Sequence, residues 1–137
     1  MEVLVVSIDT VDTHRKMHER GLARMVPGGA LYPMISDTDG AIGSLFGVYD
    51  AAEKVERRSH FLIDPEGTIQ ATETVAAPIG RNVAEILRQL RALQHHRATG
   101  DFMPCGWQPG RVTLTEANDN VTETRKIWDD WKPRNAF

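Results

Sequence analysis

The residues of this chain whose type and spacing suit chemistry are few, and most explain themselves without any. His14 and His18 stand four residues apart, the spacing of two metal ligands on one helix turn. Arg15 occupies the place where a metalloprotease carries its glutamate, however, and no third ligand accompanies the pair. A solvated helix surface is expected there. Asp37-Thr38-Asp39-Gly40 opens like a calcium loop but lacks the later acidic ligands and the closing glutamate, so a turn and helix cap is expected instead. His95-His96 falls in the last turn of a predicted long helix, where cations favour the negative end of the dipole.

Arg58, Arg81 and Cys105 are harder to dismiss. Arg58 enters an apolar strand pattern, and Arg81 stands just before the first turn of a helix, where a positive charge is disfavoured by about 0.3–1 kcal/mol. Two readings stay open. Both arginines are solvated or salt-bridged, or both converge on one cleft, where they would hold a thiolate ionised and hydrogen-bond an oxygen-rich ligand. Cys105 is the single cysteine of the chain, which excludes an internal disulfide and a multi-thiolate zinc site. Any disulfide must go to another chain or a small thiol. No cofactor or metal is expected.

The elements that must position these residues can be read from periodicity. Val3–Ile8 is a near-continuous apolar run rich in β-branched residues, the pattern of a strand buried on both faces of a parallel sheet. Thr13 is expected to cap a short helix running to about Arg20, and Tyr32–Ile35 to form a short edge strand. Asp39 is expected to cap a brief helix that buries Ile42, Leu45 and Phe46 and stops at Gly47. The polar segment 51–58 reads as a connecting loop into the strand Phe61–Ile63. Asp64-Pro65-Glu66-Gly67 has turn chemistry and Thr68–Val75 alternates, which together predict a hairpin. Asn82 with Glu85 gives a capping-box pattern, followed by Val83, Ile86, Leu87, Leu90 and Leu93 on one helical face to about His96. Residues 1–98 are thus expected to form an α/β core of mixed sheet and flanking helices, and 99–137 an extended C-terminal arm. Trp107, Trp128 and Trp131 all lie in that arm, where bulky aromatics need a surface of the same or a neighbouring subunit.

With 137 residues, 26% of them charged, the chain suits one domain. A net charge of -3 with scattered basic residues argues against nucleic acid and anionic membranes. The apolar start is too short for a signal peptide or a membrane span, so a cytoplasmic location is expected, and the Asn120-Val121-Thr122 sequon is expected to be idle.

Taken together, short motifs in order resemble a known family, the alkyl hydroperoxide reductase and thiol-specific antioxidant branch of the two-cysteine peroxiredoxins. They are Val6-Ser7-Ile8-Asp9 with His14, Tyr32-Pro33-Met34-Ile35-Ser36-Asp37, Phe46-Gly47-Val48, Arg58 before Phe61-Leu62-Ile63-Asp64, Ile79-Gly80-Arg81, and Gly106-Trp107-Gln108-Pro109-Gly110. The resemblance implies a thioredoxin-like fold, incomplete at its N-terminal half, and reduction of hydrogen peroxide or alkyl hydroperoxides by thiols. It implies that Arg58 polarises thiolate and peroxide and that Arg81 orients it. It also implies a homodimer paired edge to edge through Thr68–Val75, larger assemblies of such dimers, and an external thiol reductant such as a thioredoxin-like protein.

The chain departs from the family pattern twice. The family's Pro-x-x-x-Thr-x-x-Cys segment, which holds the peroxide-attacking cysteine, is missing, and Cys105 does not replace it. Where the family's resolving cysteine precedes the tail proline, this chain has Met103, and its own cysteine comes two places later. Cys105 is either a displaced resolving cysteine or an ordinary tail cysteine. The missing segment would also remove a central strand between the partners of Val3–Ile8 and Phe61–Ile63. Two functions follow as expectations. One is the C-terminal half of a peroxidase, inactive alone, whose nucleophile is encoded elsewhere, for instance upstream as selenocysteine read as a stop. The other is a non-enzymatic thioredoxin-like dimerisation or interaction module.

Overall fold

A computed structural model describes residues 1–114; Trp128, Trp131 and the Asn120 sequon lie outside the described residues. The chain divides into two compact units, Met1–Arg81 and a second beginning at Asn82.

In the first unit, β1 (Val5–Ser7) pairs in parallel with β2 (Met34–Ser36), Val6 opposite Ile35. The predicted strand is therefore real but half as long. Val3 and Leu4 stay exposed, and β1 is covered only in part, because among the described residues it has a neighbour on one edge alone. The next helix, α1 (Val11–Met17), starts earlier than expected. Thr10 is its cap, its hydroxyl accepting from the Thr13 N–H at 3.2 Å. Gly21 does not stop the chain's winding; one π turn (His18–Leu22) carries it into α2 (Ala23–Met25).

The short α3 (Ala41–Leu45) is capped chiefly by Asp37 rather than Asp39. The two Asp37 oxygens accept from Ile42 N at 3.0 Å and Gly43 N at 2.8 Å, while Asp39 reaches only Ala41 N. Leu45, expected inside, is 83% exposed. Phe46 does pack inward, tilted against Phe61 with ring centroids 4.8 Å apart, a contact of about 0.5–1.5 kcal/mol beyond area burial.

Segment 51–58 is not a plain loop. Tyr49–Asp50 (β3) and Val55–Glu56 (β4) form a small antiparallel ladder, turned at Lys54 with φ 52°. The following strand, β5 (Arg58–Ile63), begins at the arginine itself and pairs with β6 (Ile69–Val75) as the predicted hairpin. Asp64 fastens the turn, its Oδ1 accepting from the N–H groups of Glu66 and Thr68.

The second unit is built on α4 (Val83–Thr99), which is longer than predicted and ends at Gly100 in the left-handed region, φ 79°. Asn82 caps it through Glu85 N, but the Glu85 side chain completes no capping box and turns to Arg88 and Gln89 instead. Residues 100–114 fold back on this helix, closed by a bridge between Phe102 and Leu114. Trp107 is 3% exposed there, the most deeply covered apolar side chain among the described residues.

Candidate functional site

Arg58 and Arg81 are brought to the same strand. Arg58 opens β5 and is exposed, and the Arg81 Nη1 donates to the Ser59 carbonyl at 3.3 Å, one residue further along. The misplaced charge before α4 is thus accounted for: it satisfies a backbone acceptor of β5 and sets a second guanidinium at the strand end that carries the first. The strand itself is pinned to β6 by the Ser59 and Thr74 hydroxyls, 2.8 Å apart, and by Phe46 on Phe61.

Cys105 belongs to the second unit. Its exposed thiol sits on a turn closed by Trp107 N donating to the Pro104 carbonyl. Trp107 anchors that turn: its indole N–H donates to the Arg111 carbonyl at 3.1 Å and its ring lies 5.4 Å from that of His95. From α4, Arg88 donates to the Trp107 carbonyl while holding Glu85 by two short bonds of 2.6 and 2.7 Å. Those bonds keep the Glu85 carboxyl at about 2, against a burial that would raise it.

Three constellations eluded or misled the sequence reading. His14 is not on a solvated surface but 6% exposed. Its Nε2 lies 2.8 Å from the Ser7 hydroxyl, which also bonds the Asp9 carboxylate at 3.0 Å. The His14 Nδ1 is buried without a hydrogen-bond partner among the described residues. Asp37 is 3% exposed and meets Glu56 across the fold of α3 and β4. Gly43 lets the chain approach Glu56 closely: a Cβ there would lie 3.0 Å from the Glu56 Oε1 and 3.1 Å from the Tyr49 Cβ, a tight fit. Burial raises the Asp37 pKa, but the Gly43 and Ile42 amides and Glu56 outweigh it and leave it lowered. Burial, and then Asp37 itself, push Glu56 up. The third is His60 on β5, directly opposite Glu73 on β6. Asp37 and Glu56 are far apart in sequence, and His60 and Glu73 meet only through the hairpin register, so spacing gave no signal for either pair. Among the described residues no three His, Cys, Asp or Glu side chains gather as metal ligands.

Comparison with known proteins adds a lineage to this geometry. Residues 1–72 match the model of the AhpC/TSA family, and residues 92–126 match the C-terminal domain of 1-Cys peroxiredoxin. The chain is 43% identical, over its whole length and 67% of the relative's, to a selenocysteine-containing peroxiredoxin of Peptoclostridium acidaminophilum. It is 36% identical to alkyl hydroperoxide reductase C of Pseudomonas aeruginosa, across 88% of this chain and 63% of that one. Among solved structures, the reduced 2-Cys peroxiredoxin of Plasmodium vivax superposes with a TM-score of 0.79 at 32% identity, covering 91% of this chain and 64% of that one. The chain therefore spans about two thirds of the length of these relatives.

Proposed function

Because this chain belongs to the AhpC/TSA family, we propose that it is the C-terminal, arginine-bearing part of a peroxidase that reduces hydrogen peroxide or alkyl hydroperoxides at the expense of thiols. Its thioredoxin-like α/β fold suits that chemistry. The observation that carries the reading is the seating of Arg81 on the Ser59 carbonyl, beside Arg58. Two cations at one strand end are suited to an anionic nucleophile and a peroxide together.

In this scheme a thiolate or selenolate from polypeptide outside residues 1–137 attacks the peroxide. The O–O bond breaks, the leaving alkoxide takes up a proton, and the nucleophile becomes a sulfenic or selenenic acid. Arg58 stabilises the charge as it moves from nucleophile to leaving oxygen, and Arg81 orients the peroxide. Cys105 serves as the resolving thiol, condensing with that acid and releasing water, and an external dithiol such as a thioredoxin-like protein then reduces the bond. A selenolate is in keeping with the selenocysteine in the name of the Peptoclostridium relative. Pairing of two chains along β6, assembly into larger oligomers and a cytoplasmic location belong to the same reading. No helix among the described residues is long and apolar enough to cross a membrane.

The test is the steady-state rate of peroxide consumption in the protein completed with the N-terminal third that its relatives carry. Arg58→Lys is expected to lower kcat/KM by about 10²-fold, because a point charge replaces a planar fork at the reacting oxygens. Undiminished turnover in that variant would refute the role given to Arg58.

A further inference from the structure

Whether Arg58 can receive an anionic ligand depends on what else claims its charge. Strand alternation puts Arg58, His60 and Leu62 on one face of β5. In the register of the hairpin, His60 is opposite Glu73 and Arg58 is opposite Val75. Glu73 is therefore the diagonal neighbour of Arg58, about 7–8 Å away backbone to backbone, within easy reach of two long side chains of opposite charge. Such a pair would neutralise the guanidinium. Among the described residues, however, the Arg58 side chain takes part in no hydrogen bond or ion pair. Glu73 leans the other way, its Oε2 3.5 Å from the Nδ1 of His60. The His60 side chain is only 13% exposed, and both its ring nitrogens are covered without a hydrogen-bond partner, so this carboxylate is the polar group it faces.

We propose that His60 is a positioning residue: by drawing Glu73 to itself it keeps the diagonal carboxylate off Arg58 and leaves that guanidinium open to an oxygen-rich anionic ligand. The functional weight of this device rests on the reading of Arg58 as an active-site arginine. The device itself does not, and the two are tested apart.

The probe is the Arg58 Nε–H resonance in the full 15N-labelled chain, assigned by its loss in Arg58→Lys. In His60→Leu, Glu73 is released to Arg58; the resonance moves downfield and its exchange with water slows several-fold. His60→Gln, which keeps a donor for Glu73, retains the original signal, and so does Glu73→Gln. The double variant His60→Leu with Glu73→Gln returns the signal to its original position, which a general loosening of the hairpin would not do. An unmoved resonance in His60→Leu, a shift that survives in the double variant, or a shift in Glu73→Gln alone overturns the proposal. In the completed peroxidase, His60→Leu should lose most of its turnover and the double variant regain it. If the resonance behaves as stated and turnover does not follow it, the positioning by His60 stands and the catalytic role of Arg58 falls.

Discussion

At the scale of residues, the groups that stood out in the sequence were those that violate a local rule, and the groups that stayed hidden were those whose partner is set by tertiary register. Arg81 was conspicuous because a cation precedes a helix, and its bond to the Ser59 carbonyl resolves the conflict. Glu56 was not, because nothing in the sequence brings it to Asp37. Their pairing makes a definite demand on pH. The Glu56 pKa is raised above its ordinary 4.5, so the folded state prefers the protonated acid; its contribution is whole below that value and fades as pH rises through the higher folded one. Asp37, lowered from 3.8, acts in the opposite sense and loses its contribution only as pH falls below that value. Between the two ranges the pair shares one proton. Glu56→Gln, which fixes the neutral form, is expected to abolish the loss of stability on going from mildly acidic to neutral pH while leaving the acid limb in place. Urea denaturation of both proteins across that window reads the difference directly. Equal slopes with pH would show that Glu56 ionises freely.

At the scale of elements, the hairpin and α4 were legible because their periods are strong and their turn and cap residues agree with them: Asp64 and Gly67 at the turn, Asn82 at the cap. The β3 and β4 ladder was not, since two-residue strands in a charged segment carry no period. β1 fell short of its apolar run: among the described residues it pairs along one edge only, and its three residues are half-buried. The hairpin also carries the clearest consequence for assembly. Among the described residues β6 pairs only with β5, and its other edge offers seven residues of alternating, largely exposed strand. On the proposed reading a second copy pairs there. Sedimentation is expected to give a dimer, and a proline at Thr72, removing a backbone donor from the middle of that edge, to shift the equilibrium toward monomer. A monomer at high concentration in the unaltered chain would remove β6 from the assembly.

At the scale of the whole molecule, the apolar inventory is sufficient for a core but is not fully covered. Val3, Leu4, Val11, Ile63 and Ile69 keep between 42 and 60% of their surface, and Trp107 alone among the described apolar side chains is nearly sealed. Exposed apolar residues along half-paired strands are surfaces that further polypeptide can cover, and this chain spans only about two thirds of the relatives' length. The resemblance in the motifs identified the family; what they left open is the division of labour, because a nucleophile outside these residues leaves no mark on their spacing. The central claim is that the arginines lie on this chain and the attacking atom does not. It is tested most directly by peroxide consumption with a dithiol reductant, measured first on residues 1–137 alone and then after completion with an N-terminal part bearing cysteine or selenocysteine. The account predicts no turnover above the uncatalysed rate in the first case and turnover that depends on Arg58 in the second. Catalysis by the chain alone, abolished by Cys105→Ser, would contradict it.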